Sequence, residues 1–408
     1  MKVRFLSLFI LIPLMFCCTK PENNNEDNKQ NQENVDPTPV DPTPGEEDDL
    51  DPQVKNGDDI LVTDAIVEQF LTEVTYPERD YKDTHILDAA YAPTAPGKYD
   101  RPQKYTIRWE ATSTADDITA RLWEDDGWSR DYTSVSDNYL TITNLRPNAN
   151  YHFEVKAGSK TLTSGSFKTH GHVHQVFFSS GVRNARDLGG WKTKSGKTVK
   201  YRMIYRGGRM ENSKLTKTGK KDILAEGIRA QLDLRGHTTS GSQEYLDNSP
   251  LDGFPNAEDK YTFLAPCIEE GYTSLLKDDK EKAKQCFQFI LKCVSENKPV
   301  YFHCSLGRDR TGTIAMMILG VLGVNEGDIS KEYELTQFAP HGWATSDGEK
   351  TKMTRKADYK GAANYIWENF AKKADGTYDE FSVGMEKYLL SIGITEKEIA
   401  TFRALMLE

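Results

Sequence analysis

Two folded parts in series, an all-β sandwich and then an α/β domain with a helical C-terminal part, are what this sequence predicts. Three observations carry that reading. Between residues 104 and 169 the apolar positions recur with period two, in short runs separated by Gly, Asn, Asp and Pro, as half-buried antiparallel strands require. After His170 helix-like and strand-like stretches alternate, which predicts a layered α/β arrangement. Before residue 58 neither period is present, and the polar composition cannot bury a core. With 408 residues, 37% of them hydrophobic, there is room for two domains behind such a leader.

The expected divisions are therefore a leader over 1–18, a linker over 19–57, the sandwich over 58–170 and the α/β domain over 171–408. The leader, MKVRFLSLFILIPLMFCC, has Lys2 and Arg4 followed by an apolar run too short to span a membrane comfortably, the pattern of a secretory signal peptide. Its final Cys17-Cys18 resembles the lipobox of bacterial lipoproteins, in which the thiol is acylated and becomes the new N-terminus. Cys18 is the expected lipidation site, because Cys17 before it is small whereas Phe16 before Cys17 is bulky. Ordinary cleavage without a lipid is the alternative. No other segment is apolar and long enough to cross a membrane. The protein is thus expected to be exported and held in the bacterial cell envelope, on the outer membrane, by an N-terminal lipid anchor.

The linker is Asn-, Asp-, Glu- and Pro-rich, and "DPTPVDPTPGEEDD" nearly repeats itself, so it is expected to stay extended. Residues 20–59 hold thirteen acidic side chains against three basic ones, which accounts for the net charge of -10. The folded remainder is close to neutral, and no basic surface for nucleic acid is present. Cys286 and Cys293, seven apart in a helical stretch, are expected on its buried face rather than in a metal site.

Residues from Ile60 to Val74 read as a helix with Thr63 or Asp64 as cap. The runs "KYTIRWEA", "DITARLWED", "NYLTITNL", "NYHFEVKAG" and "TSGSFKT" follow as strands. Leu145-x-Pro147-x-x-x-Tyr151 before a strand resembles the corner of a fibronectin type III domain. That resemblance implies a tyrosine hydroxyl bonded back to the backbone, with Trp109 as the core tryptophan. In the second part, "KTGKKDILAEGIRAQLDLRG" reads as a capped helix stopped at Gly227 and then a strand. "KYTFLAP" is a strand, "KEKAKQCFQFILKCVSEN" an amphipathic helix, "PVYFHC" a buried strand and "TGTIAMMILGVLG" a buried helix. Further helices close the chain.

The stretch "PVYFHCSLGRDRTGTIAMMILG" carries the chemistry. A buried strand ends at His303, a tight loop runs through Cys304, Ser305, Leu306, Gly307, Arg308 and Asp309, and a helix starts near Arg310. Loop amides and a helix N-terminus converging on one place make an anion site suited to phosphate. The same field favours a thiolate at Cys304, a nucleophile near neutral pH. Arg310 can hold two phosphate oxygens, Thr311 can donate to the sulfur as it leaves, and His303 orients the loop from behind. No metal or cofactor is called for, since Arg310 and the amides supply the positive field. Cys-x5-Arg alone is weak. The full string His-Cys-x-x-Gly-x-Asp-Arg-Thr-Gly resembles the signature of the cysteine-dependent protein tyrosine phosphatases; a rhodanese-like loop fits "GRDRTG" poorly.

"NARDLGGWKTKSGKTVKYRMIYRGGRM" and "DLRG" resemble motifs of the bacterial tyrosine/serine phosphatase family, so the resemblance spans residue 176 to the end. It departs at Arg308, where the family often has lysine, and at Gly207, where it has serine. The resemblance implies a phosphocysteine mechanism on a phosphorylated protein, phosphotyrosine first, or on a small phosphate ester such as a phosphoinositide or inositol polyphosphate. It places Asp309 as general acid. Glu269 and Glu270 are the main rivals for that role, and Asp233 is a further one. Arg186 and Asp187 are expected to brace the phosphate loop, and with Asp233 to contribute to substrate binding. Residues 339–356, with Trp343, form a candidate lid or a plain surface loop. A surface binding protein without catalysis is the rival from another class.

Overall fold

The computed structural model describes residues 51–79, 99–111, 117–133, 135, 138–178, 182–210, 215–235, 262–339 and 356–408. The leader, Cys18, nearly all of the linker, and 340–355 of the candidate lid lie outside them. Among the described residues no helix is long and apolar enough to cross a membrane.

Among the described residues the first part holds seven strands: β1 (Asp59–Leu61), β2 (Tyr105–Arg108), β3 (Ile118–Glu124), β4 (Ser129–Thr133), β5 (Tyr139–Ile142), β6 (Asn150–Ala157) and β7 (Lys160–His170). One sheet has the order β1-β7-β6-β3-β4, and β2 pairs antiparallel with β5. The alternation read in the sequence is the alternation of burial. Ile118, Ala120 and Leu122 on β3 point inward with Tyr151, Phe153 and Val155 on β6, and meet Tyr105, Ile107, Leu140 and Ile142 of the other sheet in one apolar cluster. Trp109 is a buried member of the same cluster. The Tyr151 hydroxyl accepts a hydrogen bond from the Arg146 backbone N–H at 3.0 Å, so the corner tyrosine bonds back to the chain as expected.

The expected helix from Ile60 starts later. Residues 59–61 add to the sheet beside β7, in parallel. The helix α1 (Ala65–Glu73) begins at Asp64, whose carboxylate accepts from the Ile66 N–H at 3.0 Å. Its apolar face is not spent on the β region. Val67, Phe70, Leu71 and Val74, followed by Tyr76 and Tyr99, belong to the core of the α/β part. The helix within the segment expected as sandwich therefore contributes to the core of the α/β part. Periodicity showed which side of α1 is buried, but not against what.

The α/β part is built from β8 (Arg186–Asp187), β9 (Ile204–Gly207), α2 (Lys217–Ala225), β10 (Ala230–Asp233), β11 (Thr262–Leu264), α3 (Tyr272–Lys277), α4 (Lys280–Ser295), β12 (Val300–His303), α5 (Asp309–Leu322) and α6 (Glu326–Glu334). A 3-10 turn (Leu335–Phe338) continues α6. Then come α7 (Lys356–Ile366), which runs into a π turn, α8 (Phe381–Ser391) and α9 (Glu396–Met406). The sheet order is β11-β10-β12-β9-β8, parallel except for β8. Central β12 is buried along its whole length, as a strand covered on both faces must be. Thr216 caps α2, and Gly227 (φ +77°) follows its end. The residues of α5 from Thr311 to Leu322 are all buried, and α5 stops at Gly323 in the left-handed region (φ +90°). Cys286 and Cys293 sit on the buried face of α4. Burial pushes both thiols up, Cys293 to about 12, which leaves them inert.

The two parts belong to one unit, Thr38–Glu408, and meet through buried charge. Arg202, just before β9, pairs with Glu124 of β3 at 2.5 Å, donates to the Tyr151 hydroxyl at 3.2 Å and lies over the Trp128 ring at 4.1 Å. Arg146 reaches the other oxygen of Glu124 at 2.5 Å. Arg130 of β4 pairs with Asp222 of α2. His174 links the Asn144 carbonyl (3.0 Å) to the Asp187 carboxylate (3.2 Å).

Against α6 and its 3-10 turn, α1 places Phe70 edge-on to Phe338 (6.0 Å). Lys331 donates to the Leu71 carbonyl (3.0 Å), and Tyr76 donates to Glu334 (2.7 Å). Phe70→Ala should cost about 3–5 kcal/mol in denaturant unfolding of the full chain. Exposure of the Cys286 and Cys293 thiols should shift to lower denaturant with it. A thiol-exposure midpoint that does not move would place α1 outside that core.

Candidate active site

The phosphate-loop candidate spans residues 304–308 between β12 and α5. Gly307 has φ +69°, and a Cβ there would stand 2.3 Å from the Gly207 carbonyl carbon, backbone that cannot yield. Only glycine lets the loop press against the end of β9. Gly207 is demanded in turn by Tyr301: a Cβ at Gly207 would lie 2.2 Å from the Tyr301 hydroxyl, which donates to the Gly208 carbonyl at 2.7 Å. That contact accounts for glycine where the family pattern has serine.

The loop's carbonyls are all engaged on its outer side. His303 Nδ1 donates to Cys304 O (3.1 Å), and the Arg209 N–H donates to Ser305 O (3.1 Å). The Asn184 amide donates to Leu306 O (3.3 Å) and Gly307 O (3.0 Å), and Arg206 also reaches Gly307 O. Gly312 N–H donates to Arg308 O within the first turn of α5 (2.8 Å). Among the described residues no acceptor takes the N–H of Ser305, Leu306, Gly307 or Arg308. An amide row free of internal partners at a helix N-terminus is an anion receptor.

The supports of this loop are buried. Arg186 donates to Asn184 Oδ1 and holds Glu332 through its side chain and its carbonyl, both at 2.7 Å. Arg206 holds the other Glu332 oxygen at 2.7 Å. Behind the loop, fully buried His303 lies 2.8 Å from the Gln231 amide through Nε2. With Nδ1 donating to Cys304 O, the network assigns the ring proton to Nδ1.

Cys304 is 2% exposed. Burial pushes its thiol up, but the Arg310 charge, the Thr311 hydroxyl and the Thr311 N–H push harder in the other direction. Asp309 opposes them slightly, and the net position is below the ordinary thiol value. The buried Thr311 hydroxyl has no hydrogen-bond partner among the described residues and is near enough to Cys304 to lower its thiol. Arg310 is anchored by one N–H to the Ile268 carbonyl at 2.8 Å, which fixes its fork at the loop. Asp309 is partly exposed, and its Oδ1 accepts from the Tyr272 hydroxyl (2.5 Å) and Arg308 Nε (3.0 Å).

The structure thus brings together Cys304, Ser305, Leu306, Gly307, Arg308, Asp309, Arg310, Thr311 and His303, with Arg186 as a brace. It does not bring two others. Asp187 faces away from the loop, accepting from the Gly189 N–H (2.8 Å) and Arg202 N–H (2.6 Å) and facing His174. Alternation along β8 turns it to the side opposite Arg186. Asp233 closes on its own neighbour: Arg235 donates to it through its N–H (3.0 Å) and twice through its guanidinium (2.9 and 2.7 Å). Burial pushes that carboxyl up, yet the neighbouring His303 ring and the Arg235 contacts hold it below its usual range. Its carboxylate is thus engaged by Arg235 rather than by the loop. Glu269 and Glu270 are exposed on the loop before α3, next to Gly271, whose backbone packs on Asp309 and Arg310. Cys18 lies outside the described residues.

Sequence reasoning missed Arg206, Glu332, Asn184 and Tyr272. Asn184 and Arg206 stood inside the quoted motif "NARDLGGWKTKSGKTVKYRMIYRGGRM", but nothing local marks Glu332 or Tyr272.

The sequence model of the tyrosine phosphatase family matches residues 178–408. A tyrosine-protein phosphatase of Nostoc commune is 30% identical over 193 residues, which cover 44% of this chain and 58% of that protein. A Cupriavidus necator protein provisionally named a tyrosine-protein phosphatase is 25% identical over 173 residues, 39% of this chain and 62% of that protein. The chain thus spans about three-fifths of the length of these curated relatives. With the match covering more than half of its length and containing the whole phosphate loop, the chain belongs to the tyrosine phosphatase family.

Proposed function

We propose that this protein is a cysteine-dependent phosphatase that hydrolyses phosphate monoesters, protein phosphotyrosine first, through a phosphocysteine intermediate. One observation carries the reading: the Cys304 thiol is held below its ordinary value by Arg310 and Thr311 at the head of an amide row without internal partners. The Cys304 thiolate attacks phosphorus in line, the S–P bond forms and the P–O ester bond breaks. Asp309 gives its proton to the leaving oxygen. Water then attacks phosphorus, Asp309 takes its proton, and Cys304 leaves as thiolate beside the Thr311 hydroxyl. Arg310 and the amides carry the equatorial charge in both steps.

A second reading is favoured by Arg308. Only its Nε has a described partner, Asp309, and its side chain is 15% exposed at the mouth of the loop. A second guanidinium there suits a substrate with a second phosphate, a phosphoinositide or an inositol polyphosphate. The family origin of the aligned relatives supports phosphotyrosine. A panel of phosphotyrosine peptide, phosphoserine peptide, phosphoinositide and phytate separates these readings by kcat/KM.

The reading includes export, with a lipid on Cys18 holding the chain in the cell envelope, and a fibronectin type III-like β region. The Tyr151–Arg146 corner supports the latter. Metabolic labelling with an alkyne-palmitate should mark the full chain and fail on Cys18→Ala. Label retained in that variant removes the anchor.

Cys304→Ser in the full chain should lower hydrolysis of p-nitrophenyl phosphate by on the order of 10³-fold or more. Equal rates, or none in either protein, would favour a surface binding protein instead. Iodoacetamide should alkylate Cys304 with a pH midpoint below the ~8.5 of a free thiol. Thr311→Ala withdraws a contribution that lowers the pKa, so the midpoint should rise; a fall would contradict the assignment. Asp309→Asn should flatten the basic limb of the kcat/KM profile, whereas Glu270→Gln should leave it in place; the reverse result hands the acid role to Glu270.

A further inference from the structure

The geometry points to Tyr272 as a positioning residue for the general acid: its hydroxyl fixes the Asp309 carboxyl at the mouth of the phosphate loop, so that the transferable proton sits on Oδ2. This inference rests on the reading of Asp309 as the acid.

Tyr272 opens α3, in a region that supplies no part of the phosphate loop. Its backbone is in the left-handed region (φ +59°), uncommon for a large side chain and maintained only where the surroundings over-determine it. Three contacts do so. The Tyr272 N–H donates to Thr313 Oγ1 at 2.6 Å, and that hydroxyl donates to the Asp309 carbonyl at 3.0 Å. The Tyr272 hydroxyl donates to Asp309 Oδ1 at 2.5 Å. Gly271 before it lies against the same turn: a Cβ there would be 2.8 Å from both Asp309 C and Arg310 N. The start of α3 is thus fastened to the start of α5 at the backbone and at the side chain of one aspartate.

The hydroxyl is itself held. Tyr333 of α6 brings its own hydroxyl within 2.6 Å of it, and the Tyr333 ring stacks on Tyr359 of α7 at 4.4 Å. Burial pushes Tyr272 up, and Tyr333 and Asp309 add to it, so it remains a neutral donor at any working pH. Arg308 Nε donates to the same Oδ1. With two donors on Oδ1, a proton on the carboxyl belongs to Oδ2. The charged and titratable groups around the aspartate are Arg308 and Arg310 beside it, Cys304 at the loop start, Tyr272 from α3, Tyr333 from α6, and exposed Glu269 and Glu270 on the loop before α3. Donation to a carboxylate favours its ionised form, so loss of the Tyr272 hydroxyl makes Asp309 a weaker acid.

Tyr272→Phe keeps the ring against Tyr333 and removes only the donor. In the full chain the basic limb of kcat/KM should move up by about one pH unit. At the optimum, kcat/KM should fall by roughly tenfold for phenyl phosphate, a poor leaving group, and by less than about twofold for p-nitrophenyl phosphate, which needs little acid. A packing role would lower both substrates alike and leave the limb in place, and that result overturns the inference. Asp309→Asn is run beside it. If Asp309→Asn alters the limb and the leaving-group dependence while Tyr272→Phe alters neither, Tyr272 is only structural. If Asp309→Asn alters neither, the acid reading itself fails. Should Tyr272→Phe not fold, Tyr333→Phe decides: a smaller shift in the same direction supports the relay of hydroxyls, and an unchanged profile overturns it.

Discussion

Main-chain amides and carbonyls point in opposing directions, so a loop that offers its N–H groups to an anion must dispose of its C=O groups elsewhere. Here each carbonyl from Cys304 to Arg308 has a donor waiting: His303, Arg209, Asn184, Arg206 and the first turn of α5. Most of these donors come from β9, from the turn before β8 and from the end of β12. The order β12-β9-β8 in the sheet is therefore the same fact as the shape of the loop. Cys304 benefits without being exposed. Its sulfur is buried, and against that cost the Arg310 charge and the Thr311 donors hold its thiol below the ordinary value.

The region before residue 178, outside the family match, takes part in this. Strand β8 is two residues long, and its two side chains face opposite ways. Arg186 reaches Glu332 and Asn184, and so the loop; Asp187 reaches Arg202 and His174, and so the β region. Arg202 is two residues before β9, whose Arg206 holds Gly307. On the other flank α1 packs on α6, the helix that carries Glu332. The N-terminal part is joined to the catalytic scaffold at both places that fix the loop.

What was legible in the sequence was local. Period two gave β3 and β6, the continuous apolar run gave β12, and the string from His303 to Gly312 gave the loop, because each depends on residues near one another. What was not legible depends on closure in three dimensions. Glu332 lies 126 residues after Arg206 and reads as one more acidic position on an amphipathic helix. Tyr272 reads as an ordinary aromatic after "EEG". Asp187 and Asp233 were overread because an aspartate in a motif suggests chemistry. In fact Asp233 closes on Arg235 two residues away, and Asp187 is turned off the loop by the pleat. The start of α1 was misplaced because Ile60 fits either period.

Two guanidiniums and one carboxylate, Arg186, Arg206 and Glu332, are buried together behind the loop. Such a cluster is poor economy for stability, since desolvating three charges costs more than two contacts return. Asp100, buried and accepting from the Asn184 N–H at 3.1 Å, adds a second carboxylate near Arg186. Burial lowers Arg186 to about 10, Glu332 resists that and Arg206 adds to it, which marks a cation held where it would rather not be charged. Both guanidiniums that hold Glu332 also reach the loop, Arg186 through Asn184 and Arg206 through the Gly307 carbonyl. An anion-free fold would be better served by apolar residues at these three positions. Their presence ties the scaffold to the shape of the loop that carries Cys304.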